Sequence, residues 1–206
     1  MTVAGSFWLE PVVEAAATSA LGFYLAGGKS LRKSESSRRC ELCCCSLKLL
    51  GVYQPSSVLQ FSRFAGLLLM VCPVCAEESD GFEGRNGFSP QFADERTMCH
   101  LEGMPRHLPA PIWFQILETG EPSDVDEYAD WKQVCVNAKI GGRQLAFQSP
   151  RIDPRCPVCD GPALFIGSLD SDWAPDHLNF GGGMGYLFAC SKECAPLASF
   201  FYWDCA

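Results

Sequence analysis

Eight of the thirteen cysteines fall into two sets of one form, Cys40/Cys43/Cys72/Cys75 and Cys156/Cys159/Cys190/Cys194. Their spacings are C-x2-C-x28-C-x2-C and C-x2-C-x30-C-x3-C. The flanks repeat too: an arginine precedes each first pair, Arg39 and Arg155, and a glycine, Gly51 or Gly167, falls eight residues after its second cysteine. Each set then reaches a glycine-led apolar run, Gly66 to Val71 and Gly185 to Ala189, that delivers the second pair. The pattern reads as an internal duplication of a unit ordered cysteine knuckle, strand, loop, strand, cysteine knuckle. Zinc takes four thiolates in a tetrahedron, and a C-x-x-C turn brings two sulfurs to one ion from a single tight loop. Two structural zinc sites are therefore expected. A closed four-thiolate site keeps no position for water or substrate, so it contributes folding energy and not catalysis. Cys44 or Cys45 could replace Cys43 as ligand.

Thirteen cysteines would suggest disulfides in a secreted chain. Residues Met1 to Glu10 lack the basic segment of a signal peptide, and the apolar stretch Pro11 to Gly28 carries Glu14 and is short for a bilayer. A cytoplasmic, reducing setting follows, with no membrane association, and there clustered cysteines point to metal. The net charge of -8 argues against nucleic acid, whose phosphates need a basic face. Charge is uneven: Ala76 to Asp130 holds thirteen acids against three arginines, while Lys29 to Lys48 holds six bases against two acids. The acidic span, probed best at Asp124, Asp126 and Glu127, suits a basic protein partner.

The fold class expected is β-rich α+β, two duplicated zinc-stapled antiparallel β lobes with one N-terminal helix. Apolar residues at three- and four-residue steps from Leu9 to Tyr24, ended by Gly27-Gly28, predict that helix over 9–26. Short apolar runs at Leu47 to Leu50, Leu67 to Val71, Leu164 to Ile166 and Tyr186 to Ala189 predict strands, and Phe200 to Trp203 closes the sheet. Gly, Pro and acids fill the middle, with Ile112 to Leu117 as a single strand, and Lys139 to Arg143 reads as a turn. The organisation is then 1–80, helix and first zinc lobe; 81–130, acidic irregular insertion; 131–206, second zinc lobe, the whole also compatible with one compact domain.

Lys139-Ile-Gly-Gly-Arg-Gln-Leu-Ala-Phe-Gln148, Cys156-Pro-Val-Cys159, Leu164 to Asp170 and Gly182 to Phe188 resemble the YwqG-like family of uncharacterised bacterial proteins. The zinc domain of the programmed-cell-death-two family is similar in its glycine-glycine-arginine turn before a cysteine pair. The resemblance covers the last third, 139–205, and departs from the family at Leu145 and Gly183. It implies a compact β-rich fold of duplicated halves, members that act as interaction partners, chaperones or antitoxin-type neighbours, and no catalytic residues to carry over.

Other residue groups carry weaker signals. Cys44, Cys45, Cys99, Cys135 and Cys205 read as small buried hydrophobes. Asp170, Asp172, Asp176 and His177 share one polar loop of the kind that accumulates aspartate, and Cys99, His100 and His107 have no second cysteine pair beside them. No G-x-S-x-G, G-x-x-x-x-G-K-[ST] or H-E-x-x-H motif occurs. The leading expectation is a non-enzymatic zinc-stabilised protein-binding module, antitoxin, immunity or chaperone-like in role. The alternatives are a nucleic-acid-binding zinc ribbon using the basic 29–39 arm, and a thiol-redox or hydrolytic enzyme using Cys44, Cys45 or the Asp170 loop.

Overall fold

A computed structural model describes residues 1–3, 6–12, 23–29, 39–55, 59–78, 87–102, 112–118, 138–141, 144, 154–170 and 184–204. The strands are β1 (Thr2–Val3), β2 (Ser6–Val12), β3 (Phe23–Lys29), β4 (Lys48–Tyr53), β5 (Leu59–Gln60), β6 (Gly66–Val71), β7 (Phe88–Ala93), β8 (Ile112–Glu118), β9 (Ala138–Gly141), β10 (Ala163–Asp170), β11 (Met184–Cys190) and β12 (Ser199–Asp204). Two short helices accompany them, α1 (Cys75–Glu78) and α2 (Glu95–Glu102). Among the described residues no helix is long and apolar enough to cross a membrane.

The apolar runs become strands because both faces of each are covered. In β6, Leu67, Leu69 and Val71 point into one core cluster while Leu68 and Met70 point into another. A strand buried on both faces reads as a continuous apolar run with no alternation. β11 does the same, sending Leu187 and Ala189 one way and Met184, Tyr186 and Phe188 the other. Helix α2 caps the second cluster through Met98, and its start is fixed where Asp94 Oδ1 accepts the Thr97 N–H at 2.8 Å.

Ten strands form one antiparallel sheet in the order β12-β11-β10-β9-β2-β8-β3-β4-β6-β7. The order reads the same from either end when β2, β3, β4, β6 and β7 are set against β8, β9, β10, β11 and β12. At the centre β2 pairs with β9 and β8 with β3, so each half lends its first strand to the other. The two terminal strands then meet. Phe92 N–H donates to Pro196 O at 2.8 Å, Ser199 Oγ donates to Pro90 O at 2.7 Å, and the Phe88 and Phe201 rings stand 4.5 Å apart. One cluster uniting Leu50, Leu69 and Phe92 with Ile166, Leu187 and Trp203 fills the space between the halves.

Three expectations change. The N-terminal helix over 9–26 is replaced, where described, by strands β2 and β3; residues 13–22 lie outside the described residues. Ser6 to Val12 is apolar at both helical and alternating positions, and pairing of Phe7 to Val12 with β8 decides for strand. Among the described residues β9 pairs β2 through Ser6 to Trp8. The span 81–130, expected as irregular, carries β7, α2 and β8, of which only β8 was expected from the apolar run. Lys139 to Gly141, expected to open a turn, belong to strand β9, and Gly141 has φ 69°.

Candidate metal centres

Each first cysteine pair sits on a turn closed by the same contacts. Cys40 N–H donates to Cys45 O at 2.8 Å and Cys44 N–H to Cys40 O at 2.9 Å; Cys156 N–H donates to Gly161 O at 2.8 Å and Asp160 N–H to Cys156 O at 3.0 Å. Both turns need one residue in the left-handed region, Cys44 at φ 60° and Asp160 at φ 54°. The preceding arginine braces each: Arg39 Nη1 donates to Cys44 O at 3.0 Å, and Arg155 Nη1 to Asp160 O at 3.2 Å. The glycine eight residues on also gains a reason. Both pairings, β4 with β6 and β10 with β11, slip by a residue immediately before it, at Leu49/Gly51 and Phe165/Gly167.

The second pairs arrive from the ends of β6 and β11. Cys72 N–H donates to Gly87 O at 2.7 Å, and Cys75 opens α1. Gly87 has φ 78°, and a Cβ there would stand 2.6 Å from Ala76 N and 2.8 Å from the Cys75 carbonyl carbon. Gly87→Ala is therefore expected to cost about 1–3 kcal/mol, read as a drop in Tm, because backbone and not a side-chain tip must move. At the other site Cys190 N–H donates to Ala198 O at 2.8 Å. The extra residue of its C-x3-C spacing is absorbed by Glu193 at φ 49°.

These elements gather both expected ligand sets, with all four sulfurs of each set within 4.8 Å of one another. The sulfurs stand 3.8 Å apart for Cys40 and Cys75, 3.4 Å for Cys43 and Cys72, 3.6 Å for Cys156 and Cys194 and 3.8 Å for Cys159 and Cys190. A disulfide would hold its sulfurs at about 2.05 Å. A tetrahedral ion with metal–sulfur bonds of about 2.3 Å spaces its ligands at about 3.8 Å, so the donor set fits a four-thiolate ion. Cys43, and neither Cys44 nor Cys45, completes the first set. Cys40, Cys72, Cys156 and Cys190 are buried, while Cys43 and Cys159 are exposed.

The surroundings favour thiolate at one cysteine of each set. The Cys45 N–H, then the thiols of Cys72 and Cys75, hold Cys43 down to about 6. Burial opposes ionisation of Cys190, but the amides of Cys194 and Lys192 and neighbouring thiols outweigh it and bring the group to about 7. Burial foremost pushes Cys72 and Cys156 up, and Cys194 up to about 12. An ion must displace those protons, so binding weakens in acid.

Glu193 is the site residue the sequence reading missed. Wholly buried, it accepts from Ser62 N–H at 2.7 Å, Ser62 Oγ at 2.8 Å, Arg63 N–H at 2.7 Å and Phe64 N–H at 3.0 Å, and pairs with the Met1 ammonium at 2.8 Å. It ties the second cysteine pair to the loop before β6. The one available signal was the extra residue in C-x3-C.

Among the described residues only these two groups could hold a metal ion. Cys99 is exposed on α2, and Asp170 ends β10. Asp124, Asp126, Glu127, Asp172, Asp176, His107, His177, Cys135 and Cys205 lie outside the described residues. No protein-family model, curated protein or solved structure matches the chain.

Proposed function

We propose that the protein is a non-enzymatic protein-binding module whose frame is stapled by two structural zinc ions. The observation that carries it is the pair of preformed four-thiolate clusters, each linking two turns that flank paired strands. All-thiolate donors select soft or borderline ions, and zinc is the ion that takes four of them in a closed tetrahedron without redox chemistry. Elemental analysis of protein purified without chelator is expected to give about two zinc ions per chain. Folded protein with no bound metal would overturn the reading.

Binding of a protein partner is supported by what the knuckles expose. Leu42, Val74 and Val158 each lie between two ligand cysteines, and all are more than two-fifths exposed. A turn held by an ion presents such side chains with little ordering cost on association. The acidic span at Asp124, Asp126 and Glu127 is the second candidate contact, for a basic partner. The palindromic strand order and matched knuckles support a duplicated unit, and the YwqG-like motifs of the last third favour the same binding role. The test is proximity labelling in intact cells. Partners labelled by the native protein should be lost with Leu42→Asp plus Val74→Asp at unchanged zinc content; an unchanged partner set would place the binding face elsewhere.

A further inference from the structure

The two centres differ at one position that faces a ligand. Cys45 and Gly161 occupy the same place in their turns, each carbonyl accepting the N–H of the first cysteine at 2.8 Å. A Cβ built at Gly161 would lie 3.3 Å from Cys159 Sγ, so a side chain at this position is aimed at the second cysteine of the knuckle. In the first centre that side chain is a thiol, Cys45, two residues after the Cys43 ligand. Cys43 is also an exposed ligand of its set, and Cys45 is partly exposed. The first centre thus holds a fifth thiol against an accessible ligand, and the second has none at the equivalent place.

We propose that Cys43 and Cys45 form a peroxide-sensing pair that releases the metal of the first centre, while the second centre keeps its ion. The proposal rests on the zinc reading above. The Cys43 thiolate attacks one oxygen of hydrogen peroxide, the O–O bond breaks, and the departing hydroxide takes a proton and leaves as water. Cys43 is then a sulfenic acid, its sulfur oxidised by two electrons. The Cys45 thiolate attacks that sulfur, an S–S bond forms, the S–O bond breaks, and the second hydroxide leaves as water after protonation. Two thiols and one peroxide become one disulfide and two waters. With Cys43 consumed, only Cys40, Cys72 and Cys75 remain as ligands, and a three-thiolate remnant holds zinc less tightly.

Cys45 can act and Cys44 cannot because their side chains leave the turn differently. Cys44 occupies the left-handed position that Asp160 takes in the other knuckle, whereas Cys45 stands where the built Cβ meets the ligand sulfur. Cys43 and Cys45 lie in one turn closed by the hydrogen bonds from Cys40 N–H to Cys45 O and from Cys44 N–H to Cys40 O, so a disulfide between them needs no other part of the chain to move.

The experiment follows zinc release from the metal-loaded full chain treated with hydrogen peroxide, using a chromogenic chelator, with a mercurial to count total metal. The native protein is expected to release one equivalent quickly and the second slowly. Cys45→Ser should slow the first release by about tenfold or more, since the resolving thiol is gone, and Cys44→Ser should leave it unchanged. Gly161→Cys, which places the missing thiol in the second centre, should make the second equivalent labile as well. Peptide mapping should find a disulfide joining Cys43 to Cys45. Two bound ions with equal release rates in native protein and Cys45→Ser, or a disulfide that omits Cys45, would overturn this inference alone. A preparation without bound metal would overturn the zinc reading along with it.

Discussion

Cys190→Ser is expected to empty the second centre and leave its half of the sheet unfolded. Cys190 is wholly buried, ends strand β11, and is joined through its sulfur to Cys159 and through its N–H to Ala198. A structural zinc site contributes about 10–16 kcal/mol to the fold that holds it. Native domains have only about 5–15 kcal/mol to lose. Losing a ligand on a buried strand therefore cannot be absorbed, and the core cluster shared with β6 and β7 goes with it. Bound zinc should fall from two ions to one, and the thermal transition should broaden or vanish. Cys99→Ser, on the exposed face of α2, is the control and should shift stability by about 0.5 kcal/mol or less. A full zinc complement and native Tm in Cys190→Ser would show the cluster to be plain packing.

Glu193→Gln is expected to cost about 3 kcal/mol near neutral pH with the metal still bound. Burial alone would raise this carboxyl, but the Met1 ammonium and the Ser62 and Arg63 donors more than offset it and hold it at about 2, below its ordinary 4.5. A depressed carboxyl adds stability that is complete above the ordinary value and drains away as pH falls towards the folded one. A glutamine offers one acceptor and one donor where the glutamate offered two acceptors, so one of the N–H groups at 62–64 meets a donor. Urea unfolding of both proteins across pH should give a difference that is constant from neutrality to about pH 5 and narrows below about 4.5. A difference that does not change with pH would mean that Glu193 acts by shape and not by charge.

The two cysteine sets were legible because they are local facts: two cysteines separated by two residues must share a turn, and the recurrence of arginine before and glycine after marks the same turn twice. Strands β4, β6, β10, β11 and β12 were legible for a related reason. Their apolar runs are too short for helices, and β6 and β11 are buried at every position, which suits a strand covered on both faces. The glycines at 51 and 167 were visible as a coincidence, and the structure turns the coincidence into a bulge.

Sequence alone thus determined which eight sulfurs meet, since knuckle geometry is encoded within a few residues and the ion's donor chemistry needs no knowledge of the rest. Tertiary structure decided the remainder. Leu9 to Val12 and Phe23 to Ala26 lie in the stretch that satisfies a helical period, and only their partners β8 and β4, drawn from distant parts of the chain, make them strands. The pairing of β2 with β9 and of β8 with β3 leaves no mark in the sequence, because backbone pairing carries no residue code. Glu193 sits on a left-handed backbone and accepts from three amides more than a hundred residues away, a contact that no local pattern can announce.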